Sequence, residues 1–204
     1  MLFGEGITAY RTVIIAFVII PVLEILLKGR GGNVEMTSEQ KLSGNRIFDL
    51  LLYLNLPLLW AVIILYADRV SNGSPDFTTW LGLTLCAGIV AGASGINVAH
   101  ELGHRENRTD QWFARLLLLP EFYQHFTIEH NYGHHKNVAT SEDPATARKG
   151  ENVFSFWWRS ITRSWLGAWN IENNLLKKAG RSFRSLHNRM LLFTIMPVIY
   201  LGIM

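Results

Sequence analysis

Cysteine is nearly absent from this chain. The 204 residues contain one, Cys86, which lies inside an apolar stretch. A single cysteine cannot form a disulfide within the chain, and it cannot supply the several thiolates of a zinc or iron–sulfur site. Any redox chemistry at this protein therefore needs electrons delivered by another molecule.

Charged residues are also scarce. They make up 17% of the chain, against 49% hydrophobic residues, whereas soluble domains average about 25% charged residues. Residues 1–144 hold 10 Lys/Arg and 14 Asp/Glu, a net charge of −4, and residues 145–204 hold 9 and 2, a net charge of +7. The composition indicates a membrane protein whose basic C-terminal part contacts anionic lipid headgroups or an acidic protein, with nucleic acid the least favoured partner.

Four apolar segments predict membrane helices, because a helix needs about 20 residues to cross a bilayer. They are residues 7–27, 47–67, 77–99 and, as the start of a fourth span, 190–204. The third segment contains Gly88 and Gly92, a small-residue step that favours close helix packing. We therefore predict an all-α fold, a polytopic transmembrane helical bundle formed by a single domain over residues 1–204.

Two further stretches are predicted to lie at the membrane surface. Residues 111–124 are apolar but broken by Pro120, and residues 153–170 carry tryptophans at i+4 steps on one face, a pattern typical of interfacial helices. Basic residues are concentrated in linker 28–46 and just after residue 99. The positive-inside rule places both of these on the cytoplasmic side.

Six of the seven histidines fall between positions 100 and 135. The third span ends in HELGH, and EHNYGHH follows 25 residues later. In each motif, histidines four residues apart share one face of an α-helix, and a neighbouring residue lies about 100° around. The pattern predicts a metal site at the cytoplasmic membrane surface. Its ligands would be His100, His104, His130, His134 and His135.

Neutral imidazoles suit zinc, copper, iron and nickel. HELGH alone also fits the zinc-protease signature, with Glu101 as general base, but that alternative leaves the second motif unused. So many nitrogen ligands favour two redox metals. A histidine-rich transporter without enzymatic activity is a further alternative.

Several neighbouring residues are candidates for orienting the ligands, since a carboxylate can fix an imidazole through its second nitrogen. Asp143 could instead pair with Arg148 or open a turn before Pro144. The candidates are Glu101, His125, Glu129, Asp143 and Arg148.

HELGH, EHNYGHH and the downstream segment ATSEDPATAR together resemble the membrane-bound alkane 1-monooxygenase (alkane omega-hydroxylase) family. This family belongs to the integral membrane fatty acid desaturase and hydroxylase superfamily. The resemblance implies two non-haem iron ions held by the five histidines, and terminal hydroxylation of n-alkanes with O₂. It also implies rubredoxin and its reductase as electron donors, and a bacterial inner membrane with the metal site facing the cytoplasm.

The sequence departs from that family in two respects. The family usually has six membrane helices, of which about three and a half are present here. A third histidine motif resembling LQRHSDHH and one more histidine in NYxEHYG have no counterpart here. We therefore expect a partial sequence that is inactive on its own. Desaturases and hydroxylases that act on fatty acids or xylene are the alternatives within the superfamily.

Overall fold

The computed structural model describes residues 4–27 and 45–204, which form helices and turns without a strand. Helices α1, α2 and α3 span Gly6–Leu27, Arg46–Gly73 and Phe77–Gly103. Helix α4 spans Arg108–Leu117, α5 residues 126–137, α6 Val153–Lys178 and α7 Arg189–Ile203. The first three are long and apolar enough to cross a membrane, so the predicted helical membrane fold is confirmed. Most of the basic linker used to predict orientation lies outside the described residues.

The chain divides into two compact units, Met1–Leu102 and Gly103–Met204. In the first, Asn45 caps α2 and Asp76 caps α3, each accepting a backbone N–H of the first turn. Pro57 lies within α2 without ending it, as membrane helices allow. The apolar window of α1 has no buried residue, which suits a helix surrounded by lipid.

Helices α1 and α3 approach each other closely at Gly82. A Cβ there would lie 2.8 Å from a tyrosine ring of α1, and one turn further along, the Cys86 thiol donates to the Ala9 carbonyl at 3.0 Å. A Cβ at Gly88 or Gly92 would meet nothing within 4 Å among the described residues. The close packing expected at the Gly88–Gly92 step therefore occurs at Gly82.

The second unit packs α5, α6 and α7 around a small apolar core. Glu172 of α6 ties α7 in place, because its carboxylate accepts from the Arg189 guanidinium at 2.6 and 2.9 Å and from the Arg189 backbone N–H at 2.7 Å. Asn188 caps α7. The core consists of Ile128, Ala168, Met190 and Phe193.

Candidate metal centre

The second histidine motif lies on α5, which contains one π-helical turn at His130–His134. In an α-helix His130 would share its face with His134, as the sequence predicts. In the π turn the His135 backbone N–H donates to the His130 carbonyl, and this i→i+5 bonding brings residues five apart together. The Nε2 atoms of His130 and His135 are 2.9 Å apart. The His130 and His134 rings also stack, with centroids 5.1 Å apart, so the π turn adds His135 to the pair that α-helical spacing predicts.

A third imidazole joins this pair. The Nε2 atom of His104, just after α3 ends, lies 3.2 Å from that of His130, and the His104 and His135 rings are 4.8 Å apart between centroids. Each of the three imidazoles presents one ring nitrogen to the others, and an all-imidazole donor set suits iron, zinc, copper or nickel. The residues therefore fit a transition metal.

The first histidine motif begins in the first unit. His100 lies on the α-helical end of α3, Asn97–Gly103, one turn before His104. A second π turn, Ala91–Ile96, directly precedes this segment. His100 and Glu101 are both exposed. Their predicted roles, as a ligand and as a residue that orients the ligands, stay predictions.

His134 is oriented by a buried carboxylate. Its Nδ1 lies 2.9 Å from Oδ2 of Asp143, a residue that is 1% exposed. Burial raises the pKa of Asp143, but hydrogen bonds from Thr146, Ala145 and His134 outweigh it and lower the pKa below its ordinary value. An ionised carboxylate holds the proton on Nδ1 and leaves Nε2 as the metal-binding nitrogen. Asp143 has the geometry of a residue that orients a ligand.

The loop after Asp143 is held by Arg159 of α6. The guanidinium makes two 2.6 Å bonds to the Glu151 carboxylate and also donates to two loop carbonyls. The hydrogen bonds from Arg159 lower the pKa of Glu151 to about 2. Arg148, the arginine singled out from the sequence, is exposed, and its backbone N–H donates to Glu151. Arg159 is thus the arginine that fixes this loop.

Glu129 is packed between two glycines. A Cβ on Gly133 would lie 2.5 Å from Glu129 Oε1, and a Cβ on Gly167 of α6 would lie 3.5 Å from Glu129 Cγ. Burial raises the pKa of Glu129 to about 7, the charge of Asp143 adds to this, and His134 opposes it. The glycine within EHNYGHH thus makes room for the glutamate that opens the motif.

His125 lies away from the converging nitrogens. It is 5% exposed, and its ring meets Tyr123 edge-on at 4.7 Å. Its Nε2 has no hydrogen-bond partner among the described residues, and burial lowers its pKa to about 4. His125 lines a separate cavity against α6, and its role near the metal stays a prediction.

Sequence reasoning missed Arg159, Glu151, Gly133 and Gly167. The fixed distance between Glu129 and Gly133, one helical turn, was a visible signal for Gly133. Arg159 and Glu151 lie eight residues apart and across a helix start, so no local pattern marks them as a pair.

A polar cavity of about 480 Å³ adjoins the histidines in the second unit. His104 and His135 line it together with Arg105, Arg115 and Arg189. Burial lowers the pKa of Arg115, but a guanidinium stays charged in proteins. Carboxylates accompany these cations, because Glu106 also lines the cavity, Glu172 accepts from Arg189 and Asp110 lies 3.9 Å from Arg105.

The whole stretch from α3 onward, both histidine motifs included, matches a known family. A model of the fatty acid desaturase family covers residues 78–204. This chain belongs to the fatty acid desaturase family. Membership confirms the superfamily inferred from the histidine motifs and makes the zinc protease the weaker interpretation of HELGH.

Individual relatives narrow the resemblance. Alkane 1-monooxygenase 1 of Alcanivorax borkumensis is 38% identical over 181 residues, which cover 89% of this chain and 45% of that enzyme. Alkane 1-monooxygenase of Pseudomonas putida is 36% identical over 188 residues, with coverage of 92% and 46%. The xylene/toluene monooxygenase hydroxylase component of Pseudomonas putida is 31% identical over 144 residues, 69% of this chain and 39% of that protein. This desaturase-family chain thus spans about half the length of the curated relatives it matches.

Proposed function

We propose that this chain acts in the terminal hydroxylation of n-alkanes to 1-alkanols. The observation that carries the proposal is the convergence of three imidazoles, from His104, His130 and His135, in a membrane protein whose relatives are named alkane 1-monooxygenases. Histidine-rich sites without thiolates suit redox metals that bind O₂.

The metal in this proposal is a pair of non-haem irons, bound by His100, His104, His130, His134 and His135. Bound iron would supply the activation of O₂, with one oxygen atom going to the terminal carbon and the other to water. Five imidazoles are too few to fill the coordination of two irons. We therefore expect this chain alone to bind fewer than two irons and to lack turnover.

The residues around the histidines have supporting roles. Asp143 keeps the proton on His134 Nδ1. Glu129 packs between Gly133 and Gly167 and so supports the π turn. In this proposal the alkane enters from the bilayer between α2 and α3, where water is excluded. We place the protein in a bacterial inner membrane with the histidines facing the cytoplasm.

Electrons have to come from a partner. Cys86 is buried and is the only cysteine, so the chain holds no cluster of its own. We propose rubredoxin with its reductase as donors. The net charge of +7 over residues 145–204 suits an acidic donor protein.

A chimera tests the reaction. This chain replaces the matching part of the Alcanivorax enzyme, and membranes receive rubredoxin, reductase, NADH and octane. We expect 1-octanol from the chimera, none from its His130→Ala variant, and an unchanged rate from His187→Ala, which alters an exposed histidine outside both motifs.

The xylene/toluene relative supports a second candidate, hydroxylation of a methyl group on an aromatic ring. The same chimera is offered m-xylene and octane together. Formation of 3-methylbenzyl alcohol without 1-octanol would refute the alkane proposal and favour this candidate.

A further inference from the structure

A second cavity in the Gly103–Met204 unit lies between α6 and the turn before α5. Its volume is about 570 Å³, within the range of roughly 300–1,000 Å³ that is usual for ligand sites. Phe122, Ile161, Trp165 and Leu166 give it largely apolar walls. The cavity therefore has the size and lining of a site for an apolar molecule.

Two buried polar side chains line the same cavity without partners. Both carboxylate oxygens of Glu121 and the Nε2 atom of His125 are inaccessible and make no hydrogen bond to the described residues. A buried polar group that lacks a partner has lost its hydrogen bonds to water without replacement, which destabilises the fold. Two such groups in one cavity indicate a ligand that satisfies them.

Both groups are neutral near pH 7. Burial raises the pKa of Glu121 to about 8 and lowers that of His125 to about 4. None of the residues that line the cavity is a lysine or arginine. A carboxylate or phosphate headgroup would thus find no cation, whereas an uncharged hydroxyl can donate and accept at once.

The backbone of the turn before α5 supports the position of Glu121 in the cavity. Phe122 has φ of +54°, an uncommon conformation for a bulky residue. Phe122 lies between Glu121 and Tyr123. The Tyr123 hydroxyl forms a hydrogen bond with the Ser164 side chain of α6. The turn that presents the carboxyl group is thus fixed against α6.

We propose that this cavity binds a long-chain primary alcohol, with its hydroxyl between Glu121 and His125 and its chain along the apolar wall of α6. The choice of a 1-alkanol rests on the proposed function, whose product has this chemistry. The cavity would then be a holding site for the product, separate from the converging histidines.

Binding is measured with tritiated 1-dodecanol and the metal-free chain in phosphatidylcholine nanodiscs, after subtraction of uptake by empty discs. We expect one saturable site, for which dodecane and dodecanoate compete about tenfold less well than unlabelled 1-dodecanol. Equal competition by dodecane would overturn the proposal, because it would show that the headgroup is not recognised.

Variants locate the site. The double variant Glu121→Leu/His125→Phe should weaken 1-dodecanol binding about tenfold, whereas Glu121→Gln, which keeps a neutral hydrogen-bonding group, should bind like the wild type. Leu166→Trp fills the cavity and should also abolish binding, with Leu201→Trp on an exposed face of α7 as its control. Undiminished binding in the double variant and in Leu166→Trp, with helical circular dichroism intact, would overturn the proposal.

This experiment is independent of catalysis. Saturable binding of 1-dodecanol by a chain whose chimera forms no 1-octanol would refute the proposed function and leave the alcohol site standing. An active chimera whose parent chain shows no saturable binding would refute the alcohol site alone.

Discussion

The two compact units of this chain are built from different kinds of interaction. Met1–Leu102 consists of long apolar helices, and the side chains in the apolar window of α1 are not buried in the protein. Gly103–Met204 holds the converging imidazoles, the carboxylate on His134 and the Arg159–Glu151 pair. The first unit thus depends on its solvent, the bilayer, and the second on specific polar contacts. Substitutions of the same type should therefore have very different effects in the two units.

The largest difference, in iron affinity, is expected between the alanine variants of two aspartates. Asp143→Ala removes the carboxylate from His134 and should weaken iron binding about 10- to 100-fold, as is usual for groups that orient ligands. Asp68→Ala, at an exposed position of α2, should leave it unchanged. Iron titration of the purified chain, followed by absorption, measures both. Equal affinities would show that His134 does not bind the metal through Nε2.

Two glycines give the next comparison. Gly133→Ala puts a methyl group against Glu129 and Ile171, and such overpacking costs about 1–3 kcal/mol. Gly88→Ala meets open space among the described residues and should raise helix stability by up to ~1 kcal/mol. Unfolding followed by circular dichroism in one detergent compares them. A stable Gly133→Ala protein would mean that Glu129 moves aside without cost.

A smaller effect is expected for Arg159→Lys. Lysine keeps the charge but loses the paired bonds to Glu151 and the bonds to loop carbonyls. Amide exchange of residues 143–151 should rise several-fold, and iron affinity should fall less than in Asp143→Ala. Arg163→Lys, an exposed arginine on the same helix, is the matched control.

Acid should destabilise the loop of residues 143–151 by protonating Glu151. The pKa of Glu151 is about 2, below its ordinary value of 4.5. Because the folded-state pKa is the lower one, the stabilisation is fully present above about pH 4.5 and disappears as the pH falls through 2. Protection factors of the loop amides, which are corrected for the pH dependence of intrinsic exchange, should fall between pH 5, 3 and 2 in the wild type and fall less in Arg159→Lys. A flat profile in the wild type would contradict an ion pair at this position.

The smallest effect is expected for Cys86→Ser. The thiol donates to the Ala9 carbonyl, and a hydroxyl can do the same. Iron affinity of the chain and electron transfer in the chimera should stay within about twofold of the wild type, because one hydrogen bond contributes little net energy. Loss of activity would place Cys86 on the electron path.

The sequence predicted the features that repeat or alternate along the chain. Apolar runs predicted the three long helices, and histidine spacing predicted that His104, His130 and His135 belong together. It predicted the His130–His134 pair, whose rings stack, but it did not predict that a π turn brings His135 to His130 as well. Nor did it predict Arg159, since its contact with the Asp143 loop depends on how the chain folds back after residue 143.

The π turn at His130–His134 has a consequence for how the motif can evolve. Such a turn accommodates one residue more than the α-helical path it replaces, so deleting one residue within it would restore an α-helix. The two histidines would then lie four residues apart on one face of the α-helix, so this pair of rings would stay together. The five-residue spacing of His130 and His135 therefore requires the π turn, whereas a relative with one residue fewer between these histidines can pair the same two rings on an ordinary α-helix.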